Sequence, residues 1–195
     1  MNEQQKYHIQ QLAQNLIRYS FTKIKAQTDR EGKHLLAYYF SLVDDFFAAA
    51  DNAITREDRQ AYNPQASILY AIWSGRCYTY EGSYEPVKQN ADNWLDNQSY
   101  LYKETYQIIE ALGDDDDTYE EKYETIRKDF EECLLRALQQ CDAEGVFGNR
   151  LESGLVLFAF YVDDYDKNGK GSMLYRSAQL LNPQKDWSLL IDNYN

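Results

Sequence analysis

Proline and histidine are scarce in this chain, with three and two among 195 residues. So few prolines, with nine glycines, leave little room for a flexible linker and predict one domain spanning residues 1–195. Neither histidine, His8 or His34, lies near a cysteine or acid cluster at ligand spacing, which argues against a zinc site. The cysteines Cys77, Cys133 and Cys141 are odd in number and lack CxxC spacing. Cys133 and Cys141 fall roughly 12 Å apart along an expected helix, too far to bridge. Buried free thiols of a reducing compartment are the expectation. No apolar run approaches the ~20 residues of a membrane helix. Met1-Asn-Glu-Gln-Gln-Lys opens an amphipathic pattern and not an apolar leader core, which predicts a cytoplasmic protein. No GxSxG, GxGxxG, P-loop or HExxH motif occurs, so neither a cofactor nor an enzyme is expected.

Acid is plentiful instead. The formal net charge is −12, and it is unevenly spread. Residues 1–35 carry a net +3, residues 36–86 a net −4, residues 87–145 a net −10 and the remainder a net −1. Such a surface repels a phosphate backbone and excludes nucleic acid as the expected partner. It attracts and steers a basic protein. The plainer reading is solubility, since charge by itself does not specify a partner.

Apolar periodicity over residues 3–27 predicts an amphipathic helix, followed by a turn around Gly32. Leu35–Val43 is a continuous apolar and aromatic run that suits a buried strand, with Phe46–Ala50 as its returning partner. Thr55-Arg-Glu-Asp resembles a helix start, and Ile68–Trp73 a further strand. A long helix is expected from Val87 to Leu112, stopped by Gly113. A second is expected from the capping-box pattern Thr118-Tyr-Glu-Glu121 to Gly145. Leu155–Val162 is the strongest strand, and a short helix should run from Ser172 until Asn182-Pro183 ends it. The class expected is therefore α+β: one domain, a mostly antiparallel sheet packed by an N-terminal helix and a long central helical pair.

Asp164-Tyr-Asp166-Lys-Asn168-Gly169 begins like a calcium loop, with oxygens at positions one, three and five and glycine at six. Position twelve is Tyr175 where a bidentate glutamate is required, and a tight turn asks for the same residues. Asp114, Asp115, Asp116 and Asp117 precede a helix N-terminus, where carboxylates complement the macrodipole. The pairs Asp44/Asp45 and Asp163/Asp164 suggest two-carboxylate chemistry, but neighbours on a strand point to opposite faces. Cys77, beside Arg76 and among tyrosines, is the thiol to test for reactivity. Among eighteen tyrosines, Tyr78, Tyr80 and Tyr84 bracket a polar strand end and suit an interface. Tyr19, Tyr38, Tyr39, Tyr119 and Tyr123 read as core or core margin.

Several segments taken in order resemble the bacterial family known as domain of unknown function 4303. They are Leu36-Ala-Tyr-Tyr-Phe with its Asp-Asp turn, Leu69-Tyr-Ala-Ile-Trp-Ser-Gly, Tyr80-Glu-Gly82 and Asn90-Ala-Asp-Asn-Trp-Leu95. Leu138 through Gly148, Leu157–Asp164 and Arg176–Pro183 complete the succession. The resemblance implies a small α+β domain without assigned catalytic residues. Through the broader SUKH group it also implies an immunity protein standing beside a bacterial toxin.

The leading expectation is a non-enzymatic protein-binding module, an immunity-type inhibitor that masks a basic toxin. Its expected binding residues are Asp114, Asp115, Asp116, Asp117, Glu120, Glu121, Glu124, Tyr78, Tyr80 and Tyr84. The alternatives are a metal-dependent or small-molecule enzyme using the Asp163–Asn168 loop, and a regulatory or scaffolding module.

Overall fold

A computed structural model describes residues 1–43, 48–56, 84–87, 103–112, 118–161 and 171–184. Helix α1 (Glu3–Arg30) starts at a capping box, in which the Asn2 side chain accepts from the Gln5 N–H and the Gln5 side chain accepts from the Asn2 N–H. Its apolar stripe buries Ile9, Ala13, Leu16, Ile17, Phe21 and Ile24. The chain then reverses at Gly32, whose φ of +67° suits a residue without a Cβ.

Strands β1 (His34–Val43), β2 (Ala48–Arg56) and β3 (Tyr84–Val87) follow. Residues 103–110 are helical. Helix α2 (Tyr119–Ala143), the short α3 (Arg150–Ser153), β4 (Val156–Tyr161) and α4 (Met173–Leu181) complete the described chain. The sheet order is β3-β2-β1-β4. The chain is α+β, as expected. The expectation of a mostly antiparallel sheet is corrected at β1. That strand pairs antiparallel with β2 but parallel with β4, so the sheet is mixed. A parallel neighbour needs a long crossover, and the chain between β1 and β4 includes α2.

All six residues of β4 are buried, the mark of a strand covered on both faces. Leu157, Ala159 and Tyr161 join Tyr38, Phe40 and Leu42 of β1 in one core with α1 and α2. There Phe21 meets Phe147 edge-on at 4.8 Å, and the Tyr38 hydroxyl hydrogen-bonds Ser20 Oγ at 2.8 Å. Alternation sends Tyr39, Phe158 and Phe160 to the other face, where Tyr39 stacks on its cross-strand partner Phe158 at 4.7 Å.

One long side of β4 is closed by side chains of α4. Ser177 Oγ accepts from the Ala159 N–H and donates to its carbonyl. Asn182 repeats the arrangement two residues back: Oδ1 accepts from the Leu157 N–H at 3.1 Å and Nδ2 donates to the Leu157 carbonyl at 2.7 Å. Two side chains thus satisfy backbone groups that a further strand would otherwise pair.

Four local expectations are corrected. Thr55 and Arg56 end β2 instead of opening a helix, because their strand pairing with β1 prevails over the cap-like spacing. Val87 belongs to β3, so the expected long helix does not begin there; residues 103–110 agree with its latter part. Thr118 occupies the N-cap of α2 but forms no side-chain cap, its ψ of 7° lying away from the extended geometry that capping uses. Tyr19 is exposed, its ring lying under the Lys23 ammonium.

Candidate functional site

Helix α2 carries most of the described acids of the strongly negative segment, and its neighbours decide which of them remain available. Its inner stripe of Ile126, Phe130, Leu134, Ala137, Leu138 and Cys141 is buried. Packing that stripe against α1 brings two charge-bearing flanks together. Asp129 accepts from Lys6 Nζ at 2.7 Å and from the Met1 amino group at 2.6 Å. Burial works against ionising Asp129, yet these two cations outweigh it and hold the carboxyl below its ordinary range. Glu144 meets Arg18 at 2.5 Å, and that hydrogen bond lowers its carboxyl too.

Other acids of α2 are also matched. Glu124 pairs with Arg127, Glu132 with Arg136 and Asp142 with Arg150. Glu131 is buried, accepting from Tyr161 Oη at 3.0 Å and from Arg176 at 2.5 Å. Arg176 Nε also donates to the Gly171 carbonyl, and the Arg127 guanidinium lies 5.6 Å from the Tyr161 ring centre. This cluster joins α2, the end of β4 and α4. A carboxylate with two donors at these distances is a structural tie.

Glu120 and Glu121, in the first turn of α2, are exposed and make no ion pair among the described residues. Tyr119 and Tyr123 flank them half-buried, their rings stacked 6.0 Å apart. Of the expected binding residues, the structure therefore brings Glu120, Glu121 and Glu124 together at one helix end. Tyr84 opens β3, where its backbone pairs with Arg56. Asp114 to Asp117, Tyr78 and Tyr80 lie outside the described residues, as do Asp44/Asp45, Cys77 and the Asp163–Asn168 loop.

A cleft of about 490 Å³ opens near the other end of α2. Gln139 and Asp142 line one side, Arg150 and Leu151 another, and Leu180 and Pro183 a third. Arg150 braces it: Nε lies 2.8 Å from Asp142, one terminal nitrogen donates to Asn182 Oδ1 and the other to the Leu181 carbonyl.

Cys133 and Cys141 are free and buried, and desolvation pushes both thiols up to about 11. Neither suits a nucleophile. His8 is exposed and 3.6 Å from Glu104, and His34 is exposed. Among the described residues no group of three or more His, Cys, Asp or Glu is arranged to hold a metal ion. No described helix is long and apolar enough to cross a membrane.

Sequence reasoning missed the Glu131 tie, the Arg150 brace and the Ser177 and Asn182 plugs. Each includes a bond between residues 18 or more positions apart, and no local spacing announces such a meeting. No curated protein and no solved structure matches the chain. A family model described as "Domain of unknown function (DUF4303)" matches residues 14–183. That span takes in every described element, α1 from residue 14 onward, and it follows the succession of segments from β1 to α4. The chain belongs to the DUF4303 family.

Proposed function

We propose that residues 1–195 form a single-domain, cytoplasmic, non-enzymatic protein-binding module, an immunity-type inhibitor whose partner is a basic toxin. The observation that supports this reading most is the first turn of α2. There two carboxylates without an ion pair among the described residues, Glu120 and Glu121, stand beside a stacked, half-exposed tyrosine pair. Carboxylates steer a cationic surface into encounter, and tyrosines supply area with a hydrogen-bonding tip. Among the described residues most other acids of α2 are already matched within the fold, so on this helix the unmatched charge is concentrated in its first turn. Glu124 extends the patch, half-buried and shared with Arg127.

The test is a pull-down from the native host, followed by affinity measurement with the captured partner. Glu120→Lys, Glu121→Lys and Glu124→Lys together should weaken binding by at least about tenfold at low salt, mainly through the association rate. Unchanged affinity in the triple variant would sink the electrostatic reading. A captured partner that is acidic would sink the toxin-inhibitor reading.

A further inference from the structure

The cleft between the end of α2, α3 and the end of α4 lies far from the acidic patch. Gln139 is eighteen residues beyond Glu121 on the same helix, roughly 27 Å along its axis. Among the described residues only two aliphatic side chains are both large and exposed: Leu151 at 79% and Leu180 at 45%. Both line this one cleft. Apolar residues scattered singly over a surface need no explanation, whereas these two share the lining of one concavity.

The leucines sit on a braced platform. Helix α3 is a single turn, closed by Gly154 in the left-handed region with its N–H donating to the Arg150 carbonyl. Arg150 ties that turn to Asp142 of α2 and to Leu181 and Asn182 at the end of α4. Residue 150 is thus held inward while residue 151 is presented outward. A surface already fixed in this way loses little conformational freedom on binding.

Charge decides what fits. Asp142 and Arg150 are the charged residues of the lining, and they neutralise each other at 2.8 Å. A charged occupant would have to break that pair or be desolvated beside it without compensation. Exposed amides of Gln139, Asn149 and Gln184 line the same walls and can bond to peptide N–H and carbonyl groups. At about 490 Å³ the cleft falls within the range of roughly 300–1,000 Å³ usual for ligand sites. We propose that this cleft takes a short, uncharged segment of a protein partner, inserting leucine-type side chains between Leu151 and Leu180. The surface is separate from the first turn of α2 and does not depend on the reading proposed for it.

Selection from a phage-displayed library of random twelve-residue peptides tests this with the whole chain. Enriched peptides should be uncharged and rich in Leu, Ile, Phe or Met. Their affinity should change less than about twofold between roughly 50 and 500 mM salt. It should fall more than about tenfold in the Leu151→Ser/Leu180→Ser variant, whose replaced side chains are exposed and whose thermal unfolding confirms a folded control. Glu120→Lys/Glu121→Lys should leave it unchanged. Enrichment of cationic peptides that lose binding in the Glu120→Lys/Glu121→Lys variant would overturn the cleft proposal while favouring the acidic patch. So would binding that ignores Leu151 and Leu180, a failure to enrich any peptide, or self-association of the chain that Leu151→Ser abolishes.

Discussion

Replacing Asn182 with alanine removes one side chain that serves three partners at once. Its amide meets the N–H and carbonyl of Leu157 at 3.1 and 2.7 Å, donates to the Ala178 carbonyl at 2.9 Å and accepts from Arg150 at 3.0 Å. Leu157 is fully buried, so water does not readily replace the lost bonds. Each buried backbone group left without a partner costs about 1–3 kcal/mol, which puts Asn182→Ala at about 3–5 kcal/mol once partial relaxation is allowed. That is a large share of a domain stability of about 5–15 kcal/mol. With a urea slope of about 2 kcal/mol/M, the midpoint should fall by ~2 M without a change in slope. Amide exchange at Leu157 should accelerate more than at Phe158, whose side of the strand faces β1. Ser177→Ala should cost ~2 kcal/mol by the same argument at Ala159. A midpoint shift below about 0.3 M for Asn182→Ala, or unchanged exchange at Leu157, would refute the idea that α4 stands in for a strand.

Three further outcomes follow from the ion pairs and the thiols. Asp129 has a depressed carboxyl, so the unfolded chain takes up its proton first on acidification; the stability it adds is intact well above its ordinary value of 3.8 and is lost as pH falls through and below it. The unfolding free energy of Asp129→Asn from urea titration should therefore sit ~1 kcal/mol below wild type near neutrality and converge with it in acid. Glu131→Leu should be better tolerated than Glu131→Ala, because it fills the space that the buried carboxylate leaves; Glu131→Ala should cost about 2–4 kcal/mol in denaturant titration. With thiols raised from 9.0 to about 11, Cys133 and Cys141 should react with a disulfide reagent about tenfold or more slower than when unfolded, the loss of thiolate being partly offset by its higher nucleophilicity, measured by thiol release with and without urea.

How much of this was legible depends on the range of the interaction. The 3.6-residue recurrence from Ile9 to Ile24 marked α1, and the unbroken apolar run around Phe158 marked a strand, which the structure buries on both faces. Those patterns are local, written by which face meets the core. Cap and turn spacings were weaker guides. Thr118 has the letters of a capping box without its hydrogen bond, and Thr55 is claimed by the ladder with Leu35. At the candidate site, Glu120 and Glu121 were named from charge alone, and the structure leaves them exposed. The charge count did not reveal that Asp129, Glu131 and Glu144 are matched from α1 and α4, because those cations lie 45 to 128 positions away. Nor does any property of Arg150 or Leu151 in isolation foretell a cleft.

The pairing of α1 with α2 also carries a consequence for how the chain is made. Asp129 and Glu144 meet cations 123 to 128 residues earlier, across the same helix pair whose apolar stripes cover each other. At translation rates of about 5–20 residues per second, α1 waits roughly 6–25 s after it is synthesised before its partner helix exists. During that interval Ile9, Ile17 and Ile24 have no α2 to cover them, and Lys6 and Arg18 lack these counterions. Residues 1–35 are therefore cationic and apolar when they are made, and the strongly acidic segment joins them only once residues 87–145 have emerged.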